Sequence, residues 1–141
     1  MKILLIGLGT VGQAFYDLLT LKGFANQVKY VVVKDSAKNR AIDAELIQYN
    51  WSSFIQDPEI SHVVELIDDA DEAFKIAVEA LKQGKQLISA NKKMLAEHLA
   101  DLLGWERNFG GMLFFEAAVA GAIPIIRTIQ EYFEQGEVQS I

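Results

Sequence analysis

The chain has 141 residues, a formal net charge of −6, two prolines and an apolar fraction of 51%, which predicts one folded domain with its own core and excludes a disordered chain. No apolar run approaches the roughly 18 residues of a membrane span, and the negative charge argues against a nucleic-acid partner. With zero cysteines, disulfides, thiolate metal sites and a thiol nucleophile are excluded.

Lys2 to Ile6 reads as a short buried strand. It is too short for the apolar stretch of a signal peptide, which suits a cytoplasmic protein. Thr10 to Leu21 reads as a helix with Val11, Ala14, Phe15, Leu18 and Leu19 on its inward stripe, stopped at Gly23. The β-branched run Val28 to Val33 fits a strand covered on both faces. Arg40 to Tyr49 is a helix candidate, His62 to Ile67 a strand, Ala70 to Lys82 a helix and Gln86 to Ser89 a strand after Gly84. Lys92 to Leu103 is a helix carrying Leu95, Leu99, Leu102 and Leu103, and Met112 to Ala117 a strand. A helix from Pro124 to about Phe133 and a strand from Val138 to Ile141 complete the chain. Alternating strands and helices imply right-handed crossovers. The fold class is therefore α/β: a Rossmann-like doubly wound, mostly parallel sheet with helices on both faces. No composition break divides residues 1–141.

The stretch GLGTVG places Gly7, Gly9 and Gly12 directly after a strand and before a helix. In that context the pattern is a dinucleotide-binding signature. Gly7 permits a tight turn, Gly9 lets a pyrophosphate approach, and Gly12 brings the helix close to the strand. The N–H groups of the first turn, at Thr10 and Val11, then face the phosphates. After the second strand comes VVVKDSAKNR. Asp35 stands where an acid would bind a ribose 2′-hydroxyl, while Lys34, Lys38 and Arg40 would accommodate a 2′-phosphate. The signal for NAD or NADP is split, and the three cations tilt it toward NADP.

Three stretches together resemble homoserine dehydrogenase: GLGTVG, HVVELIDDADEAFKIAVEALKQGKQLISANKKMLAEH with its Ser-Ala-Asn-Lys ending, and FFEAAVAGAIPIIR. The resemblance implies NAD(P)-dependent interconversion of L-homoserine and L-aspartate 4-semialdehyde, on the route to threonine, methionine and isoleucine. It places Asn91 and Lys92 at the nicotinamide end beside the substrate, with Lys92 orienting the aldehyde or stabilising charge on its oxygen. It also implies a monovalent cation, Na+ for example, held by Glu116 and the carbonyls of Val119, Gly121 and Ile123. These hard oxygen donors suit such an ion.

The sequence departs from the family pattern twice. Ala120-Gly121-Ala122 replaces a glycine triplet, and Ile67-Asp68-Asp69 replaces Thr-Gly-Gly. The two aspartates would repel cofactor phosphates if they faced inward, or cap the following helix.

The family's catalytic aspartate and lysine belong to a later substrate domain, also the main dimer contact. The expectation is therefore a cofactor domain over residues 1–141, inactive alone and homo-oligomeric in the longer protein. Phe114, Phe115, Ile125 and Ile126 are expected near the junction with that domain. Two other readings stay open. One is another Rossmann oxidoreductase, such as an aspartate dehydrogenase or dihydrodipicolinate reductase relative. The other is a non-enzymatic nucleotide-binding regulatory module. His62 opens a strand and His98 is expected on a solvated helix face beside Glu97; with no cysteines and no clustered acids, a zinc site is not expected.

Overall fold

The computed structural model of the protein describes residues 1–38 and 40–119. The helix expected from Pro124, the strand at Val138 to Ile141, and the positions Gly121, Ile123, Ile125 and Ile126 lie outside the described residues. Six strands, β1 (Ile3–Ile6), β2 (Val28–Val32), β3 (Ile47–Gln48), β4 (His62–Glu65), β5 (Gln86–Ser89) and β6 (Met112–Phe114), alternate with α1 (Thr10–Leu21), α2 (Ala70–Lys82), α3 (Lys92–Phe109) and α4 (Glu116–Val119). They form one sheet in the order β3-β2-β1-β4-β5-β6. Every pairing is parallel. The chain winds outward from β1 one way and then, through β4, the other. The order thus reverses between β1 and β4, where Ile3–Ile6 runs in register with His62–Glu65.

Side-chain alternation divides the core between the two faces. Ile3, Leu5, Val28, Val31 and Val64 pack with Phe15, Tyr16 and Leu19 of α1. Leu4, Ile6, Val63 and Leu87 pack with Ile76, Ala77 and Leu81 of α2 and Met94 and Leu102 of α3. Both faces are apolar because both are covered, as a parallel sheet requires.

The inward stripe of α1 differs from the expected one. Gly12 is the buried residue of the helix, and Phe15, Tyr16 and Leu19 follow it at helical spacing. Val11, Ala14 and Leu18 instead face solvent, as does Leu21. The cause is the closeness of α1 to the turn before it: a Cβ on Gly12 would lie 2.1 Å from the Gly7 carbonyl oxygen. With position 12 pressed onto that turn, positions 15, 16 and 19 face the sheet. The helix ends at Lys22, with Gly23 at φ +77° and the Phe24 N–H donating to the Leu19 carbonyl.

The helix expected over Arg40 to Tyr49 does not form. The Asp43 carboxylate accepts the Glu45 N–H and caps a single 3-10 turn, Ala44–Leu46. The chain then enters the sheet as β3, with Ile47 opposite Val31. Ile42, Leu46 and Ile47 cover the end of the α1-side core, a packing gain available only from the sheet edge. The helix expected to stop at Leu103 runs on to Phe109. Trp105 packs on the core and receives Lys82 Nζ at 4.5 Å from its ring centre, and the αL turn comes at Gly110 instead. The last strand is shorter than expected, because Glu116 begins α4. Phe114 is exposed and Phe115 half-buried. His98, expected on a solvated face, stacks on Phe74 at 4.0 Å between α3 and α2. Among the described residues no helix is long and apolar enough to cross a membrane, and no three His, Asp or Glu side chains cluster as a metal site.

At the opposite end of the sheet a polar knot fixes the turn before β4. Asp57 Oδ2 accepts from Lys29 Nζ at 2.7 Å and from the Tyr30 hydroxyl at 3.0 Å, and its Oδ1 accepts the Glu59 N–H. The buried Lys85 ammonium donates to the carbonyls of Asp57 and Ile60. Lys29, then the Glu59 N–H, pulls the Asp57 carboxyl down to about 2. The folded state therefore holds this proton more weakly than the unfolded chain, whose Asp titrates near ~3.9. The stabilisation is complete above about pH 4 and lost as pH falls through about 2.

Two outcomes follow for thermal unfolding followed by circular dichroism. Asp57→Asn lowers the melting temperature at pH 6, and its difference from the parent closes as the pH approaches 2. Gly12→Ala costs about 3 kcal/mol at neutral pH, because the added methyl overlaps the Gly7 carbonyl and helix and turn must part.

Candidate functional site

A cleft of about 890 Å³ opens at the carboxyl ends of β1, β2 and β4. This is the switch point of the strand order, where open parallel sheets bind ligands. Its volume falls within the roughly 300–1,000 Å³ usual for small-molecule sites.

The floor is the β1–α1 turn. Gly7 has φ +100°, and a Cβ there would meet the Leu66 carbonyl oxygen at 2.6 Å, so this turn excludes any side chain. Gly9 differs. It lines the cleft with Leu8, Thr10 and Val11, yet a Cβ on it would meet nothing within 4 Å. It is also the N-cap of α1, makes no side-chain capping bond, and is followed by no acid in the first turn. The other long helices are closed: Asp69 caps α2 at Glu72 N, and Asn91 caps α3 at Met94 N. The α1 N-terminus alone among these three presents uncapped N–H groups and its positive dipole end, and it presents them to the cleft.

One end of the cleft is lined by Lys34, Asp35, Lys38, Arg40, Tyr49 and Trp51. The Asp35 carboxylate accepts the Ala37 N–H at 2.8 Å, which folds the loop after β2 back on itself. Arg40 Nη1 donates to the Lys38 carbonyl, and its buried Nε has no hydrogen-bond partner among the described residues. Trp51 Nε1 donates to Glu72 at 2.7 Å, fixing an aromatic wall that sequence reasoning passed over. The missed signal is the Tyr-Asn-Trp run just past β3, which looked like a helix end.

At the other end Ile67 and Asp68 also line a smaller cavity of about 190 Å³ with Ala90, Asn91 and Lys92. The two expected nicotinamide-end residues thus stand together beside the main cleft. Lys92 is exposed as the first residue of α3, and Asn91 is buried beneath it. The Asn91 side chain accepts from Met94 N and donates to the Ile67 carbonyl at 3.0 Å, which leaves one amide N–H without a partner among the described residues. Beneath lies Glu65, fully buried, accepting from Ile67 N at 2.8 Å and from the Ser89 hydroxyl at 2.5 Å. Burial pushes the Glu65 carboxyl up. Neither Glu65 nor Ser89 is evident as a site residue in the sequence, where both read as strand.

The two aspartates after β4 separate in role. Asp69 caps α2. Asp68 is exposed and lines both cavities, while Asp69, also exposed, lines the main cleft with Glu72. Of the expected cation ligands, Glu116 and Val119 bound the short helix after β6, and neither lines the cleft.

Residues 7–116 match the family model described as homoserine dehydrogenase, NAD binding domain. The chain is 34% identical over 140 residues to the homoserine dehydrogenase of Bacillus subtilis, covering 92% of this chain and 32% of that protein. It is 32% identical over 148 residues to that of Corynebacterium glutamicum, covering 99% and 33%. A homoserine dehydrogenase crystal structure from Thiobacillus denitrificans superposes with a TM-score of 0.82 at 32% identity, over 93% of this chain and 32% of that one. A hyperthermophilic archaeal homoserine dehydrogenase in complex with NADPH shares the fold, with a TM-score of 0.75 at 20% identity. The chain spans about a third of the length of the curated relatives it matches. With its glycine turn, open helix end and switch-point cleft inside the matched region, this chain belongs to the homoserine dehydrogenase family and carries that family's NAD-binding domain.

Proposed function

We propose that the cleft binds NADP(H) in preference to NAD(H), and that this cofactor unit, over residues 1–141, serves the NAD(P)-dependent interconversion of L-homoserine and L-aspartate 4-semialdehyde in threonine, methionine and isoleucine biosynthesis. The observation that carries the reading is Gly9. Packing inside the protein does not require a glycine there, since its Cβ would enter open space in the cleft. A glycine there leaves the backbone open to a ligand, and the uncapped α1 N-terminus beside it favours an anionic one.

The residues divide into three groups. Gly7, Gly9, Thr10, Val11 and Gly12 form the pyrophosphate cradle, which holds charge by N–H groups and dipole without a counter-charge. Lys34, Lys38 and Arg40 surround the end of the cleft beyond β2, and Asp35 is engaged with Ala37. This balance favours a 2′-phosphate over a free 2′-hydroxyl. The partnerless Arg40 Nε leaves a buried donor to be satisfied. Asn91 and Lys92 define the nicotinamide end. The cofactor, when bound, supplies or accepts the hydride. Lys92 is placed to neutralise charge on the substrate oxygen as the aldehyde is reduced, and Asn91 to hold the ring with its remaining N–H. The protein as a whole is read as cytoplasmic and homo-oligomeric. A monovalent cation held by Glu116, Val119, Gly121 and Ile123 belongs to the same reading, on the chemistry of its carboxylate and carbonyl donors.

Calorimetric titration of the purified chain tests the assignment. NADPH binds saturably and more tightly than NADH. Gly9→Ala keeps the parent melting temperature within about 1 kcal/mol of stability, since the methyl meets no atom, yet loses most of the affinity for both. Failure of the parent to bind either nucleotide would overturn the reading. The double variant Lys38→Ala, Arg40→Ala weakens NADPH about tenfold or more and leaves NADH nearly unchanged. An equal loss for both would assign the cations to general charge attraction.

A further inference from the structure

Glu65 ends β4 with a fully buried side chain among apolar core residues. A carboxyl in that position is costly unless it does something a leucine could not. No cation pairs with it among the described residues. Its hydrogen bonds form a closed ring instead. Oε1 accepts Ile67 N from the loop after β4, and Oε2 accepts the Ser89 hydroxyl at the end of β5. Ser89 Oγ accepts Asn91 N at 3.1 Å, and Asn91 Nδ2 returns to the Ile67 carbonyl at 3.0 Å. The two loops that wall the smaller cavity are thereby tied to each other, and Asn91 is held at the same time as the N-cap of α3.

Each group in the ring has a hydrogen-bond partner. Ser89 has one proton and gives it to Glu65, so its lone pairs are free for the Asn91 N–H. The Glu65 carboxyl offers one oxygen to Ile67 N and the other to the Ser89 hydroxyl. A glutamine has one acceptor oxygen, and its amide nitrogen would face one of the two donors. Glu65 touches neither cavity, so it can act only through Asn91 and Lys92.

We infer that Glu65, with Ser89, is the positioning residue for the nicotinamide end of the cofactor site: its carboxylate sets the spacing between the loops after β4 and β5, and through that ring orients Asn91 and Lys92. This inference rests on the cofactor reading above.

The test uses the full chain, its Glu65→Gln and Ser89→Ala variants, and two ligands: NADPH, and 2′-phospho-ADP-ribose, which lacks the nicotinamide. The parent binds NADPH more tightly than the fragment and enhances the dihydronicotinamide fluorescence. Glu65→Gln weakens NADPH about tenfold and abolishes the fluorescence enhancement while holding the fragment within about twofold of parent affinity. Ser89→Ala acts in the same direction with a smaller loss, and carries the test alone if Glu65→Gln does not fold. Parent-like NADPH affinity and fluorescence in both variants would overturn the inference. So would equal loss of both ligands, which marks a general loss of structure, or a parent that binds the two ligands equally. A parent that binds neither would overturn the cofactor reading itself, and the inference with it.

Discussion

The architecture of the site depends on one contact: the backbone of α1 resting on the turn that precedes it. Gly12 lies so close to the Gly7 carbonyl that a single methyl would overlap it. Gly7 itself sits at positive φ against the Leu66 carbonyl. Three backbone segments, from β1, α1 and the end of β4, therefore meet with no side chain between them. This closeness sends Phe15, Tyr16 and Leu19 into the core and sets the helix axis over the sheet. It also delivers the first turn of α1 to the carboxyl edge of β1. A helix standing one side chain farther out would still bury an apolar stripe, but its N-terminus would not reach the cleft.

The electrostatics follow from that placement. The protein carries a net charge of −6, yet the site as read holds an anionic ligand. It does so with local devices: an uncapped helix end, and three cations gathered on the loop after β2. The cleft is not uniformly positive, since Asp68, Asp69 and Glu72 line it as well, Asp69 also capping α2. Where the family pattern has glycines, this chain has these two acids, and the structure gives them separate fates. One supports a helix. The other stands between the two cavities.

Much of the fold was legible because its signals are local. α1, α2 and β5 stand at their expected limits, and GLGTVG is a backbone requirement written directly as glycine. The failures share a physical origin. Arg40 to Tyr49 has apolar residues at spacings a helix or a sheet edge could use, and the unfilled edge beside β2 decided between them. The inward face of α1 was misassigned because side-chain hydropathy marks Val11 and Leu18 as core, whereas the tight Gly12 contact rotates them outward. The helix α3 runs past its expected end at Leu103 and through Gly104, a residue unfavourable inside a helix. Trp105 packing outweighed its cost of about 1 kcal/mol. Glu65 and Ser89 were invisible as site residues, since a carboxylate in a strand carries no mark of burial. Only the sheet register brings them opposite one another. Asn91 and Lys92 were found through a family resemblance, not through spacing.

On the proposed reading, the N-terminus of α1 receives the cofactor's phosphates at the β1–β4 switch point. Amide resonances of the 15N-labelled chain, followed during NADPH titration, test it most directly. The expected result is large downfield shifts of the Gly9, Thr10 and Val11 N–H protons, saturating together with shifts at Arg40 and Asn91. Saturable binding that leaves the Gly9 to Val11 amides unmoved would contradict it, because the nucleotide would then lie somewhere other than the cradle that the glycine turn builds.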